Sequence, residues 1–259
     1  MAHKNKQNRS PMKPKKAGLR GKHKKPQKIY PFNEADDRLR DIFTNHGFED
    51  FPHDQRHQFV QFYHLLMDVQ EKENFTRLLS LRDIGIKHFV DCLLIPRFTD
   101  LQFPLLDLGT GPGFPGIPLK ICFPNERIIL AEGVQRRVEF LKRVRQEMNL
   151  ENLDIVGRNI NKNFHLPVQG VITRAVEDLR NTLGNVSSCV QNGGKVYFMK
   201  GPKVGPEIQE ALDSWGEYYE LEDDIHYTIP ETTNERRLVV FKKIKSVPMS
   251  DEEFQEDIE

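Results

Sequence analysis

The amino-acid sequence predicts an α/β protein in which a doubly wound, mostly parallel sheet with an antiparallel last strand follows a segment of helices. Three observations support this prediction. Strand-like and helix-like segments alternate from Leu105 onward, as they do in parallel sheets. The first of these strands runs into a glycine-rich turn, within "LLDLGTGPGFPGIPLK" at residues 105–120. Apolar residues at helical spacing fill the region before Leu105.

The two ends of the chain carry opposite charge and are predicted to be disordered. Residues 1–30 contain eleven lysines or arginines and no acid, and "DEEFQEDIE" at residues 251–259 contains six acids and no base. Such segments bury too little apolar surface to fold, so we expect a basic arm over residues 1–30 and an acidic tail over residues 246–259. Without both ends, the 38 basic and 38 acidic residues fall to 27 and 32. The body is therefore negative, and binding to RNA would need help from the arm.

Residues 31–99 are predicted to form a helical cap in front of the sheet. Apolar positions repeat at helical spacing over residues 33–47, 54–71 and 86–94, and Gly47 fits the end of the first helix. We interpret the three apolar stripes as faces that pack into the core, because such stripes far more often fill a core than bind a ligand.

Residues 100–245 are predicted to form the sheet domain. Its strands are "PLLDL", "RIILAE", "LDIVG", "GVITRA", "GGKVYFMKG", "IHYTI" and "RRLVVFKK". Helices are predicted from Pro118, over "RRVEFLKRVRQEMNL" and over "AVEDLRNTLGNVSSCV". The last two strands are expected to form an antiparallel pair. Ligands bind sheets of this kind at the turn that follows the first strand.

The glycine-rich turn indicates which class of cofactor the sheet binds. Its glycines are Gly109, Gly111, Gly113 and Gly116, and prolines stand at positions 112, 115 and 118. Glycines allow a ligand to approach the backbone closely, but proline has no N–H group. A pyrophosphate is held by free N–H groups at a helix N-terminus, so the prolines argue against a dinucleotide. The turn favours S-adenosylmethionine, which joins adenosine to an amino-acid tail without any phosphate.

An acid at the end of the second strand supports the adenosine part of this prediction. Glu132 closes "RIILAE", where a carboxylate can accept hydrogen bonds from both ribose hydroxyls of a nucleoside. NAD enzymes and methyltransferases both use an acid at this place. Glu132 therefore does not by itself choose between the two cofactors.

Longer motifs occur in an order that one known family shares. They are "LLDLGTGPGFPGIPLKICFP", "LAEGVQRRVEFL", "VITRAVEDL", "YFMKG" and "ERRLVVFKK", with "NFT" at 74–76 and "KHFVDCL" at 87–93 upstream. Over roughly residues 35–243 the chain resembles the ribosomal small-subunit methyltransferase G family, once called glucose-inhibited division protein B. The resemblance implies a Rossmann-like, class I S-adenosylmethionine-dependent methyltransferase that methylates N7 of a guanine in 16S ribosomal RNA.

The resemblance also implies a set of cofactor-binding residues. Gly109 and Phe114 match positions of the cofactor-binding turn, and Arg174, in "ITRA", matches a cofactor-binding arginine after the fourth strand. Ile160 and Asn161 match the pair that holds the adenine. The family usually has an acid at the position of Asn161, and an amide oxygen accepts a hydrogen bond from the adenine amine more weakly than a carboxylate does.

Methylation of guanine N7 needs little chemical help from side chains. N7 offers a free lone pair in the major groove, and the sulfonium is already an activated leaving group. Positioning of the reacting atoms supplies the catalysis, so no catalytic residue and no metal are predicted. We interpret His88 and Asp91 as a surface hydrogen bond or a cap on a helix. Because methylation makes the base cationic, we expect few fixed positive charges where the RNA binds.

The predicted RNA contacts lie near the ligand-binding edge of the sheet. They are Asn74, Arg136, Arg137 and Lys200. The three cations are candidates for contacts with phosphate groups, which position a nucleic acid without reading its sequence. Asn74 fits a helix cap equally well.

Composition limits the cellular setting. The chain has no apolar run long enough to span a membrane, and Cys92, Cys122 and Cys189 are too few and too far apart for a disulfide framework. We therefore expect a cytoplasmic protein, and nothing in the sequence demands more than a monomer. The resemblance implies that its partner is small-subunit ribosomal RNA or a pre-ribosomal particle. Three alternatives stay open at this point: methylation of another RNA or of a protein, an NAD-linked oxidoreductase, and an inactive ribosome-assembly module.

Overall fold

A single seven-stranded sheet organises the chain. The computed structural model describes residues 25–174 and 177–248, so the predictions for residues 1–24 of the arm and 249–259 of the tail lie outside the described residues. The strands are β1 (Leu105–Leu108), β2 (Ile128–Ala131), β3 (Leu153–Val156), β4 (Val168–Arg174), β5 (Val190–Lys200), β6 (Tyr219–Thr228) and β7 (Glu235–Lys243). Their order across the sheet is β3-β2-β1-β4-β5-β7-β6.

The directions of the strands confirm the predicted fold class. β1 to β5 pair in parallel, and β7 is antiparallel to both of its neighbours, β5 and β6. β1 lies between β2 and β4, where the strand order reverses. This is the position at which doubly wound sheets bind ligands outside the carboxyl ends of their strands.

Helices fill the region before the sheet, as the apolar stripes predict. They are α1 (Phe32–Asn45), α2 (His53–Glu73), α3 (Leu81–Ile84), a π-helical segment (Gly85–Val90) and α4 (Asp91–Phe98). A buried ion pair joins the first two helices, because Arg56 donates to both carboxylate oxygens of Asp36 at 2.8 and 2.9 Å. Arg56 and Asp36 are only 7% exposed, so removing either partner would leave a buried charge.

Four further helices connect the strands. They are α5 (Gly116–Cys122), α6 (Gln135–Glu147), α7 (Leu179–Asn185) and α8 (Gly205–Trp215). α7 is shorter than the helix predicted over "AVEDLRNTLGNVSSCV", because Asp178 caps its first turn by accepting from the Asn181 N–H and β5 already begins at Val190. α8 has no counterpart among the predicted helices, although apolar residues at 204, 208, 211 and 215 have helical spacing.

The N-terminal helices lie against one face of the sheet. Leu105 belongs to a core cluster that these helices share with α5 and α6, and Leu106 belongs to a second cluster with α7 and α8. Neighbouring residues of a strand point to opposite faces, so the two clusters lie on the two sides of the sheet. None of the described helices is both long enough and apolar enough to cross a membrane.

Candidate active site

The turn between β1 and α5 has a backbone that favours glycine. Gly109, Gly111 and Gly113 have φ angles of 67°, 60° and 110°, in the left-handed region. A Cβ added at Gly113 would lie 2.6 Å from Cγ1 of Ile117, whereas one added at Gly111 would meet no atom within 4 Å. The backbone at Gly111 therefore borders open space that a ligand can occupy.

Most backbone N–H groups of this turn are unable to bind an anion. The N–H groups of Thr110, Gly113, Phe114, Gly116 and Ile117 each donate to an oxygen of the protein. Positions 112, 115 and 118 are prolines and have no N–H. The turn therefore has even fewer free N–H groups than its prolines alone predict. A pyrophosphate needs such groups, so the turn disfavours it.

A buried carboxyl group anchors both ends of the turn. Oδ2 of Asp107 accepts hydrogen bonds from the Thr110 hydroxyl at 2.6 Å and from the Gly116 N–H at 2.7 Å. Burial raises the pKa of Asp107 to about 7, although both hydrogen bonds act in the opposite direction. Asp107 is absent from the predicted site residues, but an acid inside the apolar run "LLDL" is a signal that the sequence does contain.

The raised pKa of Asp107 predicts how stability depends on pH. The group holds its proton more tightly in the folded protein than in the unfolded chain, where its pKa is about 4. Its contribution to stability is therefore full below about pH 4 and is lost as the pH rises through about 7. Asp107→Asn cannot ionise, so its Tm relative to wild type should rise between pH 5 and pH 8. Thermal unfolding at several pH values measures this difference, and a constant difference would contradict the prediction.

A cleft of about 290 Å³ opens at the carboxyl ends of the strands. We call it the strand-end cleft. Four of the predicted cofactor residues line it: Gly109, Glu132, Ile160 and Arg174. Its volume is close to the lower end of the range for small-molecule sites, about 300–1,000 Å³. The structure therefore brings together residues from β1, β2, β4 and the loop after β3.

Glu132 is buried at the end of the second strand and already has two partners. Its Oε1 accepts a hydrogen bond from the Val134 N–H at 2.8 Å, and its Oε2 lies 3.4 Å from Nη1 of Arg137. Arg137 lines the strand-end cleft as well. An RNA contact by Arg137 stays a prediction, and the guanidinium has further N–H groups besides the one that faces Glu132.

The two residues predicted to hold the adenine lie in different surroundings. Ile160 is buried and lines the strand-end cleft. Asn161 is exposed, and its Oδ1 accepts a hydrogen bond from the Asn163 N–H at 3.0 Å. The side-chain amide of Asn161 thus stabilises the turn over residues 161–163. Asn159 lines the cleft instead. Binding of adenine by Asn161 stays a prediction.

A second cavity, of about 530 Å³, lies beside the strand-end cleft. It is lined by residues 75–78 after α2, by one face of the helices at 87–91, by Pro112 and Phe114 of the glycine turn, and by the ends of β5 and β7. Arg174 lines both spaces. The glycine turn and Arg174 therefore separate the strand-end cleft from the second cavity.

Three groups hold Arg174 in place at this wall. Its Nη2 lies 2.9 Å from Nδ1 of His88, and its Nη1 lies 3.9 Å from Oδ2 of Asp91. Its guanidinium carbon is 5.3 Å from the centre of the Phe114 ring. The interpretation of His88 and Asp91 as a surface hydrogen bond or cap is wrong, because both face inward and each contacts Arg174. Their inward orientation depends on how the helix packs against the sheet.

The contact with Arg174 determines the tautomer of His88. A guanidinium can only donate, so Nδ1 of His88 accepts and Nε2 carries the proton. Nε2 lies 3.3 Å from Oγ1 of Thr76, to which it can donate. Burial, together with the charge of Arg174, holds the pKa of His88 well below its ordinary value. His88 is therefore neutral at physiological pH, and its ring stacks on Phe114 with centres 4.3 Å apart.

Comparison with known proteins identifies the family. A family model described as GidB, rRNA small subunit methyltransferase G, matches residues 55–239. The chain belongs to this family. It is 64% identical over 238 residues to "Ribosomal RNA small subunit methyltransferase G 2" of Bdellovibrio bacteriovorus, covering 92% of this chain and 93% of that protein. It is 34% identical over 197 residues to "Ribosomal RNA small subunit methyltransferase G" of Carboxydothermus hydrogenoformans, covering 73% of this chain and 84% of that one.

Membership of the methyltransferase G family confirms several predictions. The chain is an S-adenosylmethionine-dependent rRNA methyltransferase of the class I, Rossmann-like fold. The alternative of an NAD-linked oxidoreductase is therefore wrong, in agreement with the shortage of N–H donors at the turn. The open space at Gly111, the buried Glu132 and the apolar Ile160 fit a nucleoside with an amino-acid tail.

Five positively charged side chains line the second cavity of this methyltransferase. Its cations are Arg77, Lys87, Arg174, Lys200 and Arg236. Lys87 pairs with Asp83 at 2.6 Å and Lys200 with Glu207 at 2.9 Å, while Arg174 and Arg236 both face Asp91. Four of the five cations thus have an acid beside them, and the expectation of few fixed charges where the RNA binds stays a prediction.

The remaining predicted RNA contacts differ in their positions. Lys200 lines the second cavity at the end of β5. Arg136 lies in the first turn of α6, half-exposed and 3.7 Å from Glu73. Asn74 ends α2 with a left-handed φ of 52°, and its Oδ1 accepts from Nε2 of Gln70 at 3.2 Å. Asn74 thus has the role of a helix cap, and RNA contacts by all three residues stay predictions.

One cluster among the described residues has the donor types of a metal site. Ligand atoms of Asp36, His53 and His57 all lie within 4.8 Å of one another on α1 and α2. Arg56, however, already donates to both carboxylate oxygens of Asp36. A cation would have to displace this guanidinium or bind next to its positive charge, so the donor set fits a metal poorly.

Proposed function

We propose that this protein transfers the methyl group of S-adenosylmethionine to N7 of a guanine in small-subunit ribosomal RNA, with the cofactor in the strand-end cleft and the guanine in the second cavity. One observation carries the proposal: the two spaces meet at Arg174 and the glycine turn. A methyl group held at this wall would be accessible to a base in the second cavity.

Residues of the strand-end cleft account for binding of the cofactor, which when bound supplies an activated methyl group on a sulfonium. Glu132 would accept hydrogen bonds from the ribose hydroxyls, and Ile160 offers an apolar surface to the adenine. The open backbone at Gly111 leaves room for the amino-acid tail. Gly109 and Arg174 line the same cleft, whereas Phe114 lines the second cavity and Gly111 and Gly113 line neither space. We include Gly113 and Phe114 in the proposed cofactor site because they belong to the glycine turn between the two spaces.

The chemistry of guanine limits what the second cavity can do. Guanine presents O6 and N7 as neighbouring acceptors, and arginine often binds both. N7 must keep its lone pair free to accept the methyl group. Donors such as Arg174 and Lys200 are therefore left with O6 or with phosphate oxygens. No side chain needs to remove a proton, so the cavity acts by orienting the base and excluding water.

Mass spectrometry of ribosomal RNA tests the proposed function most directly. Small-subunit RNA from cells with and without the gene is digested and compared. We expect one 7-methylguanosine to be present only when the gene is present. Unchanged 7-methylguanosine in this RNA would overturn the proposal.

Transfer from labelled S-adenosylmethionine to defined substrates separates the remaining alternatives. Naked small-subunit RNA, precursor particles and assembled small subunits are compared with large-subunit RNA. Label in any of the first three supports the proposal and identifies the substrate form. Label in large-subunit RNA alone would overturn the proposed substrate.

The basic arm is expected to add affinity for RNA without adding chemistry. Residues 1–24 contain nine lysines and arginines. The structure anchors the next residues to the body, because the Gln27 N–H donates to the Leu79 carbonyl at 2.9 Å and Lys25 pairs with Glu71 at 2.7 Å. Deleting residues 1–24 should weaken RNA binding and reduce the slope of log affinity against log salt, by about 0.7 for each phosphate that the arm neutralises.

An arm of the same length with its nine cations replaced by glutamine is the matched control for this deletion. It should behave like the deletion, because charge rather than length supplies the affinity. Filter binding at several salt concentrations measures both variants. An unchanged slope would show that the arm does not bind RNA.

The setting of the reaction is also part of the proposal. Ribosomal RNA is available in the cytoplasm, and the three cysteines are free, as a reducing compartment allows. We therefore propose a cytoplasmic enzyme that acts as a monomer on small-subunit RNA or on a pre-ribosomal particle.

A further inference from the structure

The loop after α2 forms one side of the second cavity and is held by hydrogen bonds to a buried side chain. We call residues 74–78 the pinned loop. Four of its five residues, 75–78, line the cavity. Asn74 begins it in the left-handed conformation at the end of α2. The loop therefore presents its backbone and side chains to whatever enters the cavity.

A buried glutamine holds the centre of the pinned loop. Gln70 is fully buried, and its Nε2 donates to the Thr76 carbonyl at 2.8 Å. The Thr76 N–H donates back to Oε1 of Gln70 at 3.0 Å. The side-chain amide thus satisfies both backbone groups of Thr76, much as a neighbouring strand would. Breaking these bonds would leave a buried amide unpaired, which is costly.

The side chain of Thr76 connects the pinned loop to the cofactor side of the site. Its Oγ1 accepts a hydrogen bond from the Leu78 N–H at 3.0 Å and lies 3.3 Å from Nε2 of His88. His88 in turn contacts Arg174 at 2.9 Å. A chain of polar contacts therefore runs from the pinned loop to the wall between the two spaces.

Arg77 lies between these fixed points and differs from the other cations of the second cavity. It is exposed, and within the described residues it has neither a hydrogen bond nor an ion pair. The other four cations each have an acid beside them. A positive side chain on a firmly held backbone is thus available to an anion from outside the protein.

We propose that Arg77 binds a phosphate group of the RNA strand whose base enters the second cavity, and that Gln70 and His88 hold the pinned loop in position for this contact. The inference rests on the proposed function. A guanidinium binds phosphate oxygens through two parallel hydrogen bonds. Such a contact orients the strand, while the guanine is recognised inside the cavity.

Replacement of Arg77 by glutamine tests the contact. Arg77 is exposed, so the variant should fold like wild type. We expect KM for RNA to rise about tenfold, the effect of removing one charge-assisted hydrogen-bonded pair, with kcat and the affinity for S-adenosylhomocysteine unchanged. The slope of log affinity against log salt should fall by about 0.7–1, because the variant neutralises one phosphate fewer.

Two further variants make the result specific. Arg77→Lys keeps the charge and should retain most of the salt slope, but it lacks the two-bond geometry and should bind RNA more weakly than wild type. Arg82→Gln removes an exposed arginine from α3 that does not line the cavity, and it should leave both quantities unchanged. Equal effects of Arg77→Gln and Arg82→Gln would reduce the result to general surface charge and overturn the proposal.

The contribution of the loop anchor is tested by a double-mutant cycle. Gln70→Met keeps the volume and removes both hydrogen bonds to Thr76. If the anchor positions Arg77, Arg77→Gln should cost less in the Gln70→Met background than in wild type. An equal cost would overturn the role of Gln70. If Gln70→Met does not fold, the Arg77 variants still decide the phosphate contact.

Failure of this inference is distinguishable from failure of the proposed function. If wild-type protein does not methylate small-subunit RNA, the proposed function is wrong. If wild type does methylate it and Arg77→Gln has the wild-type KM and salt slope, only the contact by Arg77 is wrong.

Discussion

Replacing Gly111 with valine is expected to abolish binding of S-adenosylhomocysteine while the protein stays folded. A Cβ at Gly111 meets no atom of the protein within 4 Å, so the new side chain would occupy the space that we assign to the ligand. Valine also disfavours a φ of 60°, at a cost of about 1–2 kcal/mol, which a typical domain tolerates. Isothermal titration calorimetry measures binding, and thermal unfolding confirms the fold.

A second glycine provides a matched control for the strain of Gly111→Val. Gly193 in β5 has a φ of 83°, and a Cβ added there also meets no atom within 4 Å. It lies in the first half of β5, before Lys195, which is level with the first residue of β1, whereas the glycine turn follows the last residue of β1. Gly193→Val should therefore be destabilised to a similar extent and bind the ligand normally. Wild-type affinity in a folded Gly111→Val would contradict our placement of the cofactor.

Replacing Arg174 with glutamine is expected to lower kcat/KM for methyl transfer by about 100-fold, the usual effect of removing one oriented charged donor from an active site. Arg174 lines both spaces, so affinity for S-adenosylhomocysteine should fall as well. The pKa of His88 should rise, because one of the causes that lower it is removed, but burial should keep it below the ordinary value. Transfer assays, calorimetry and NMR titration of His88 measure the three effects.

Arg236→Gln is the control for Arg174→Gln. Arg236 also faces Asp91, with Nε 3.4 Å from its Oδ2, and it lines only the second of the two spaces. Asp91 keeps one arginine and the hydroxyl of Tyr227 in either variant, so both should fold. Affinity for S-adenosylhomocysteine should be normal in Arg236→Gln. An equal fall in affinity in the two variants would argue against a cofactor contact by Arg174.

Local sequence patterns were sufficient to predict most of the fold. The alternation of strands and helices predicts the parallel order of β1 to β5, and the last two runs predict the antiparallel β7. α8 shows how such a prediction fails, because its apolar spacing is present but is interrupted by exposed polar residues. α7 begins late because Asp178 caps its first turn, and it ends early because β5 begins at Val190. A broad apolar pattern reveals neither boundary.

The site was predicted less completely than the fold. Gly109, Glu132 and Arg174 line the strand-end cleft because each stands at or next to the carboxyl end of a parallel strand, and Ile160 lines it from the loop after β3. Asn161 follows Ile160 in the same loop, and its exposed side chain accepts a hydrogen bond from the Asn163 N–H. The direction in which a side chain of the N-terminal helices points depends on how those helices pack against the sheet. The contacts of His88 and Asp91 with Arg174 could therefore not be predicted from the sequence.

The sequence by itself determined the sheet and the class of cofactor, since both depend on features of neighbouring residues: strand periodicity, glycines with positive φ and prolines that lack an N–H. The tertiary structure decided which side chains meet. His88 and Arg174 are 86 positions apart, and they touch only because the N-terminal helices pack against the sheet beside the glycine turn. The same packing creates the second cavity and places Arg77 at its edge. The sequence pattern of one helix or strand does not show which other element it will contact, so the cavity between them could not be predicted.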